Sequence, residues 1–206
     1  MSTRIATIIL AVAVVFSAIA LVPRIAAMRL PGNHQGFEPM QPIAFSHRLH
    51  AGEFNIQCLY CHSAAEKSRH AGIPAASTCM NCHKFITAPR SLVRAEEELA
   101  KKENRKPRQV TSPERAKLYT AINGNQPIAW TRVHQLSAFV YFDHRPHVAA
   151  GLECQKCHGP VETMERVRQM EPLNMGQCVN CHRGRDGTLI AGNHVKANSD
   201  CNACHF

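Results

Sequence analysis

Ten cysteines, Cys58, Cys61, Cys79, Cys82, Cys154, Cys157, Cys178, Cys181, Cys201 and Cys204, divide without remainder into five C-x-x-C pairs. A histidine follows each pair directly: His62, His83, His158, His182 and His205. The runs read CLYCH, CMNCH, CQKCH, CVNCH and CNACH. Two thiols on one turn of chain, with an imidazole next to them, suit covalent haem attachment. The thiols bond to the two vinyl groups of the porphyrin, and the histidine lies under the iron as its proximal ligand. Zinc wants four ligands, usually two such pairs per ion, and five pairs is an odd number. Neither zinc nor disulfides require the five histidines. With 13 His in 206 residues, five such coincidences arise by chance about once in a million. The expected cofactors are five covalently attached haems c.

Further histidines repeat ahead of these pairs. FSHRLH begins 13 residues before Cys58, and FDHRPH begins 12 residues before Cys154. Both read F-x-H-x-x-H, then a short loop, then C-x-x-C-H, with another C-x-x-C-H after it; the second copy adds a third, at Cys201. Histidines at i and i+3 share one side of a helical turn but aim differently. One turn can therefore reach two irons. His47, His50, His144 and His147 are the expected distal ligands. His134, in IAWTRVHQL, joins them as a further candidate. His194, between the last two haem motifs, and Met175, three residues before Cys178, are further candidates, so that candidates outnumber the five places. His70 and His34 are weaker candidates, and Met164 and Met170 read as haem packing. Ligands on both faces make an iron that passes electrons and does not bind substrate. Bis-histidine ligation keeps its potential low, and a methionine raises it.

The elements that must position these groups follow from the pattern between them. The fold class expected is mainly α with much irregular coil, wrapped around the five haems, plus one N-terminal transmembrane helix. Residues 5–22 carry no charge and reach the short end of the membrane-spanning range. The reading is a signal-anchor over 1–29; a cleaved signal peptide ending at Ala18-Ile19-Ala20 is the alternative, but the run exceeds the usual core of such a peptide. Residues 30–44, with Gly32, Gly36, Pro31, Pro39 and Pro42, read as a linker. A dihaem unit is expected over 45–88, a helical charged connector over 89–134 and a trihaem unit over 135–206. Within the connector, 91–104 (SLVRAEEELAKKEN) reads as a solvated helix with Glu–Lys pairs at i,i+4. A second helix starts at Ser112-Pro113, capped by Ser112, and ends at Gly124.

Charge and composition exclude other classes. The chain is basic, +9 formally, and poor in aromatics, 6%. Ten ionised propionates against one positive charge per ferric centre leave about +4 when oxidised and about −1 when reduced, which removes the case for nucleic acid. The haems also supply a core that about 32 residues per haem could not build from side chains. Arg4, Arg24 and Arg29 leave the positive-inside rule undecided. Haem attachment decides the topology: a single pass in the bacterial inner membrane, with the haem domain on the periplasmic face.

Two function classes remain, an electron-transfer wire and a multihaem enzyme of the nitrite- or hydroxylamine-converting kind. The second needs a five-coordinate haem, and all five motifs here end in His. No catalytic site of its own is expected. FDHRPH with its three following motifs resembles the small cytochromes c7 and c3. The longer order FSHRLH, CLYCH, AGIP, CMNCHK, IAWTRVHQL, FVYFDHRPHV, CQKCHG and LNMGQCVNCHR, behind an anchor, resembles the pentahaem membrane-anchored cytochrome subunit of alternative complex III. That resemblance covers residues 5–206. It implies a subunit that carries electrons within a quinol-oxidising respiratory complex toward a periplasmic cytochrome. The implied partners are polytopic quinol-handling membrane subunits, an iron–sulfur subunit and a monohaem cytochrome c. A NapC-like quinol dehydrogenase, or the electron-transfer subunit of a molybdopterin oxidoreductase, is the alternative.

Overall fold

The computed structural model describes residues 3–27 and 34–205. The extreme ends of the expected anchor, the first part of the linker (30–33) and Phe206 lie outside the described residues. Helix α1, Thr3–Ala27, has 25 residues. At the α-helical rise that is about 37 Å, longer than the roughly 30 Å of a bilayer's hydrocarbon. From Ile5 to Val22 it is apolar all round and exposed, Leu10 by 67% and Phe16 by 74%. A helix without a polar face suits lipid better than water, and Thr3–Val22 is long and apolar enough to cross a membrane.

The rest is short helices joined by coil. In chain order these are α2 Cys58–Cys61, α3 Ala76–His83, α4 Arg90–Lys102, α5 Pro113–Asn123, α6 His144–Ala149, α7 Gln155–His158, α8 Met175–His182 and α9 Cys201–Cys204. A π-helical turn covers Arg48–Glu53, and 3-10 turns cover Ser63–Glu66 and Val161–Thr163. The only sheet among the described residues is a two-residue hairpin, β1 Leu189–Ile190 against β2 Asn193–His194. Its turn, Ala191-Gly192, has φ of 50° and 79°, the primed geometry that matches strand twist.

The apolar core is small. Among the described residues the buried apolar side chains are Ala65, Ala88, Ala100, Leu118 and Val133. The chain exposes 14962 Å², against about 9,600 Å² for a compact monomer of its mass. Backbone approaches tie the segments instead. The π-turn lies against Val161–Thr163, where a Cβ on Gly52 would stand 2.3 Å from the Glu162 carbonyl oxygen. Arg48 adds an ion pair to Glu165 at 2.5 Å and another to Glu53.

Residues 34–44 hold no regular element, as expected, yet they do not hang free. Gly36 N donates to Gln169 O, and Gln169 N donates to Phe37 O. Gln41 exchanges two bonds with Thr131. The side chain of Gln169 is fully buried, and its amide bridges Gln135 N and Glu171 O.

Both connector helices form. In α4 the expected Glu97–Lys101 and Glu98–Lys102 pairs are absent among the described ion pairs. Glu96 instead meets Arg105 at 2.5 Å, because Asn104, at φ 49°, folds the chain back after the last turn. Exposed i,i+4 pairs contribute too little to hold two long side chains. Helix α5 starts at Pro113, Ser112 Oγ accepts from Arg115 N, and Gly124 follows its last residue. Ser112→Ala is expected to cost about 1 kcal/mol, read as a fall in Tm of about 2–4 °C.

Candidate multihaem centre

Each C-x-x-C-H run closes one helical turn. His62 N bonds to Cys58 O, His158 N to Cys154 O and His205 N to Cys201 O, at 2.9, 3.0 and 2.9 Å. At 3.6 residues per turn, both thiols lie on one side and the histidine falls one step on. No disulfide joins any of the ten cysteines. Among the described residues no three of His, Cys, Asp and Glu gather as a metal-ion site.

The imidazoles are oriented by their Nδ1 atoms. His62 Nδ1 meets Gly72 O at 2.8 Å, His83 Nδ1 meets Ile86 O at 3.0 Å, and His182 Nδ1 meets Asn198 O at 2.5 Å. His50 meets Ser46 O at 2.8 Å, His147 meets Asp143 O at 2.7 Å, and His144 meets Arg69 O at 2.8 Å. A carbonyl only accepts, so Nδ1 carries the proton and Nε2 keeps its lone pair. That is the tautomer a metal needs, with ring orientation fixed from behind.

The rings then meet in pairs. His50 and His83 have ring centres 6.1 Å apart, His147 and His182 6.0 Å, and His144 and His158 6.3 Å. An iron bound at about 2 Å by each nitrogen, with about 1 Å from nitrogen to ring centre, sets two imidazole centres about 6 Å apart. The spacing fits axial ligation of a haem iron. His134 stands 4.4 Å from His158, at 82° to it. That is too close for a metal between them. The His134 Nε2 is nonetheless buried with no hydrogen-bond partner, as is the His47 Nδ1. Buried orphan nitrogens of this kind are what a ligand would satisfy.

Burial favours the neutral form of His47, His50, His134, His147 and His158. Burial lowers the pKa of His47 to about 4, helped by the neighbouring His62 and His50. Burial also lowers His134 to about 4. His158 falls to about 3, through burial and then the proximity of His134, His144 and His62. Neutral imidazole is the ligating form. Burial also raises the pKa of the Cys157 thiol to about 11.

Thiol neighbours give the attachment points an order. Electrostatic influence sets Cys61 near Cys79 and Cys82, Cys154 near Cys58, Cys157 near Cys178 and Cys181, and Cys178 near Cys204. The five pairs thus run 79/82, 58/61, 154/157, 178/181, 201/204, a continuous line that differs from sequence order at its start.

Other candidates stay outside the pairs. His194 is exposed on β2, and Met175 is 67% exposed at the start of α8. His70 is exposed. His34 has a buried, unpartnered Nδ1 beside Phe37. Phe139 stacks on His205 at 5.7 Å.

Sequence reasoning missed Arg69. Its carbonyl receives both His144 N and His144 Nδ1, its Nε donates to Phe142 O, and its guanidinium lies 4.0 Å over Tyr141. The first C-x-x-C-H segment thereby holds a histidine of the second F-x-H-x-x-H turn. No local pattern marks this contact, since its partners are more than 70 residues apart in sequence.

Asp143 fixes the start of α6. Its carboxylate accepts from Arg145 N and pairs with the Arg145 guanidinium, which together lower its pKa from 3.8 to about 2. A depressed carboxylate pKa stabilises the fold above the unfolded value, and that contribution is lost as pH falls through the folded one. Asp143→Ala is expected to lower Tm at pH 7. The difference from the parent chain should shrink between pH 4 and about 2, measured by thermal melts across that range.

Residues 140–206 match the family described as cytochrome c7 and related cytochrome c. The chain is also similar to the multihaem cytochrome c subunit of a menaquinone reductase from Nitratidesulfovibrio vulgaris. The two are 22% identical over 185 residues, which is 80% of this chain and 74% of the relative.

Proposed function

From the premise of a mainly helical multihaem c-type cytochrome with a c7-like C-terminal domain, we propose a membrane-anchored pentahaem electron wire. It carries electrons within a quinol-oxidising respiratory complex of the alternative complex III kind, toward a periplasmic cytochrome. The observation that carries the reading is the set of three imidazole pairs at 6.0–6.3 Å, each joining a histidine that follows a C-x-x-C to one from an F-x-H-x-x-H turn.

Haem supplies one-electron redox centres where it is bound. The chain's own residues do the rest. The ten cysteines attach, and His62, His83, His158, His182 and His205 ligate from the proximal side. His50 faces His83, His144 faces His158, and His147 faces His182. His47 is assigned to the iron of His62, with which it interacts electrostatically. His134, Met175 and His194 are the alternatives for the one iron left, that of His205. Filling both axial places excludes substrate, which suits a conduit and not a reaction site. The line of attachment points supports stepwise transfer along the domain, and α1 holds one end of the system to the bilayer. The partners proposed are polytopic quinol-handling subunits, an iron–sulfur subunit and a monohaem cytochrome c.

The likeness to a menaquinone reductase subunit favours a second reading, in which electrons run toward a membrane quinone. Mild-detergent capture of the full chain from native membranes, with partners identified by mass, tests the first. Co-purified polytopic and iron–sulfur subunits, with haems reduced on adding menaquinol, support it. Capture of the chain alone, or with a single soluble reductase, overturns the larger-complex assignment. Haems that ignore menaquinol but pass electrons to menaquinone favour the reverse direction.

A further inference from the structure

We propose that Arg69 is a positioning residue: it holds His144 on the iron of His158 and so keeps that iron closed to outside ligands. This rests on the axial-pair reading above. His50 and His147 take the carbonyl four residues back in their own turn, Ser46 O and Asp143 O, at 2.8 and 2.7 Å. His144 takes its carbonyl from the first cysteine segment, Arg69 O at 2.8 Å, 75 residues away in sequence. The orientation of this ligand therefore depends on where that segment stands. Its Nδ1 proton goes to the carbonyl and its Nε2 stays bare toward the iron, so the contact and the ligation need the same tautomer.

Arg69 grips the His144 turn at three points. Its carbonyl accepts from His144 N at 3.2 Å as well as from Nδ1, which uses both lone pairs. Its Nε donates to Phe142 O at 3.0 Å, and its guanidinium lies 4.0 Å over the Tyr141 ring. A guanidinium combines a directed N–H with attraction to an aromatic face. The Phe142 ring lies 4.9 Å from that of His144 and 4.7 Å from that of His147, so holding the Phe142 backbone also seats a ring against the ligand. The loop that carries Arg69 is tied at both ends. Before it, Ser68 N donates to Ala64 O at 2.7 Å, within a 3-10 turn that lies against α6. After it, Gly72 O receives His62 Nδ1 at 2.8 Å. One loop thus orients His62 on one iron and His144 on another.

A distal imidazole leaves its iron by tipping away from it. A hydrogen bond from Nδ1 to a fixed carbonyl resists that tipping and makes the ring a stronger donor to iron. Without the Arg69 side chain the carbonyl is no longer pinned to residues 141 and 142. Both effects weaken, and the bond between His144 Nε2 and the iron opens more often. The opening oxidises and reduces nothing. Carbon monoxide offered to the ferrous iron takes the place that the imidazole leaves.

The experiment mixes carbon monoxide with the full haem-loaded chain in detergent, reduced with dithionite, and follows binding by stopped-flow absorption, with haem count by intact mass. The expected result is five haems in wild type, Arg69→Gln, Arg69→Lys and Tyr141→Leu. One haem in Arg69→Gln should bind about tenfold faster than in wild type. Tyr141→Leu, which takes away the ring beneath the guanidinium, should speed the same haem. Arg69→Lys keeps the charge without the Nε donor and should still bind faster than wild type. In a His144→Ala background that haem is already open, and Arg69→Gln should add nothing. Wild-type rates in Arg69→Gln overturn the proposal. So does full recovery of the wild-type rate in Arg69→Lys, since charge alone would then be the cause. A second haem opened by Arg69→Gln on top of His144→Ala overturns it too, because Arg69 would then act elsewhere. Loss of a haem from both Arg69→Gln and Tyr141→Leu also overturns it, since the contact would then serve assembly. A His144→Ala chain with every haem closed to carbon monoxide would instead sink the axial-pair reading.

Discussion

His158→Ala is expected to remove the haem joined to Cys154 and Cys157, or leave it misligated, and to destabilise the whole domain. His158 is the imidazole whose pKa burial depresses furthest, to about 3. It lies opposite His144 at 6.3 Å and against His134 at 4.4 Å. Its attachment point is the middle one of the five. Removing a ligand and a buried ring together should cost at least about 3 kcal/mol. Transfer between the two ends of the line should then fail even where the outer haems survive. Intact mass and a thermal melt check the first part, and single-turnover reduction kinetics check the second. A variant with five haems, unchanged Tm and unchanged kinetics would show that His158 is not an iron ligand.

The second large effect is spectroscopic. His147→Ala should leave every haem attached and turn one of five from low to high spin, opening that iron to cyanide or carbon monoxide. His147 pairs with His182 at 6.0 Å, and Asp143 O holds its Nδ1 at 2.7 Å. Alanine removes the ligand and leaves the covalent link untouched. His144→Ala should do the same at the iron of His158, and the double variant should show two high-spin haems. Added imidazole should restore the low-spin spectrum in each. A low-spin spectrum indistinguishable from wild type in His147→Ala would make the pairing with His182 wrong.

The chemistry of this chain was legible where it is local. A C-x-x-C-H run spans one helical turn, so its two thiols and its imidazole are fixed by sequence spacing alone. The caps at Ser112 and the helix stop at Gly124 are local in the same way. The divergence of the i,i+3 histidines was legible because it is a property of one turn, and the structure sets His144 opposite His158 and His147 opposite His182. The structure makes the first of these turns π-helical, over Arg48–Glu53, and the second α-helical, which spacing alone does not distinguish. What was not legible depends on distant backbone. Gln169 reads as an ordinary polar residue until residues 34–37 are laid across it. Arg69 reads as surface charge until Tyr141 is brought to it. The expected Glu–Lys pairs on α4 failed because Glu97, Glu98, Lys101 and Lys102 are all exposed, where such a pair contributes little.

The candidate membrane helix and the c7-like domain stand on different kinds of observation. The first is length and apolarity over Thr3–Val22. The second is a match of residues 140–206, which spans the last three cysteine pairs. The first two pairs rest on the internal repeat and on the ring geometry that it produces, with His50 and His83 spaced as His147 and His182 are.

The most direct test of the account is the intact mass of the full chain taken from native membranes and measured after denaturation. The account predicts the mass of the polypeptide plus five haems, retained without native structure because each is bonded through two thioethers. A mass with fewer than five, or haem that leaves on denaturation, would contradict it.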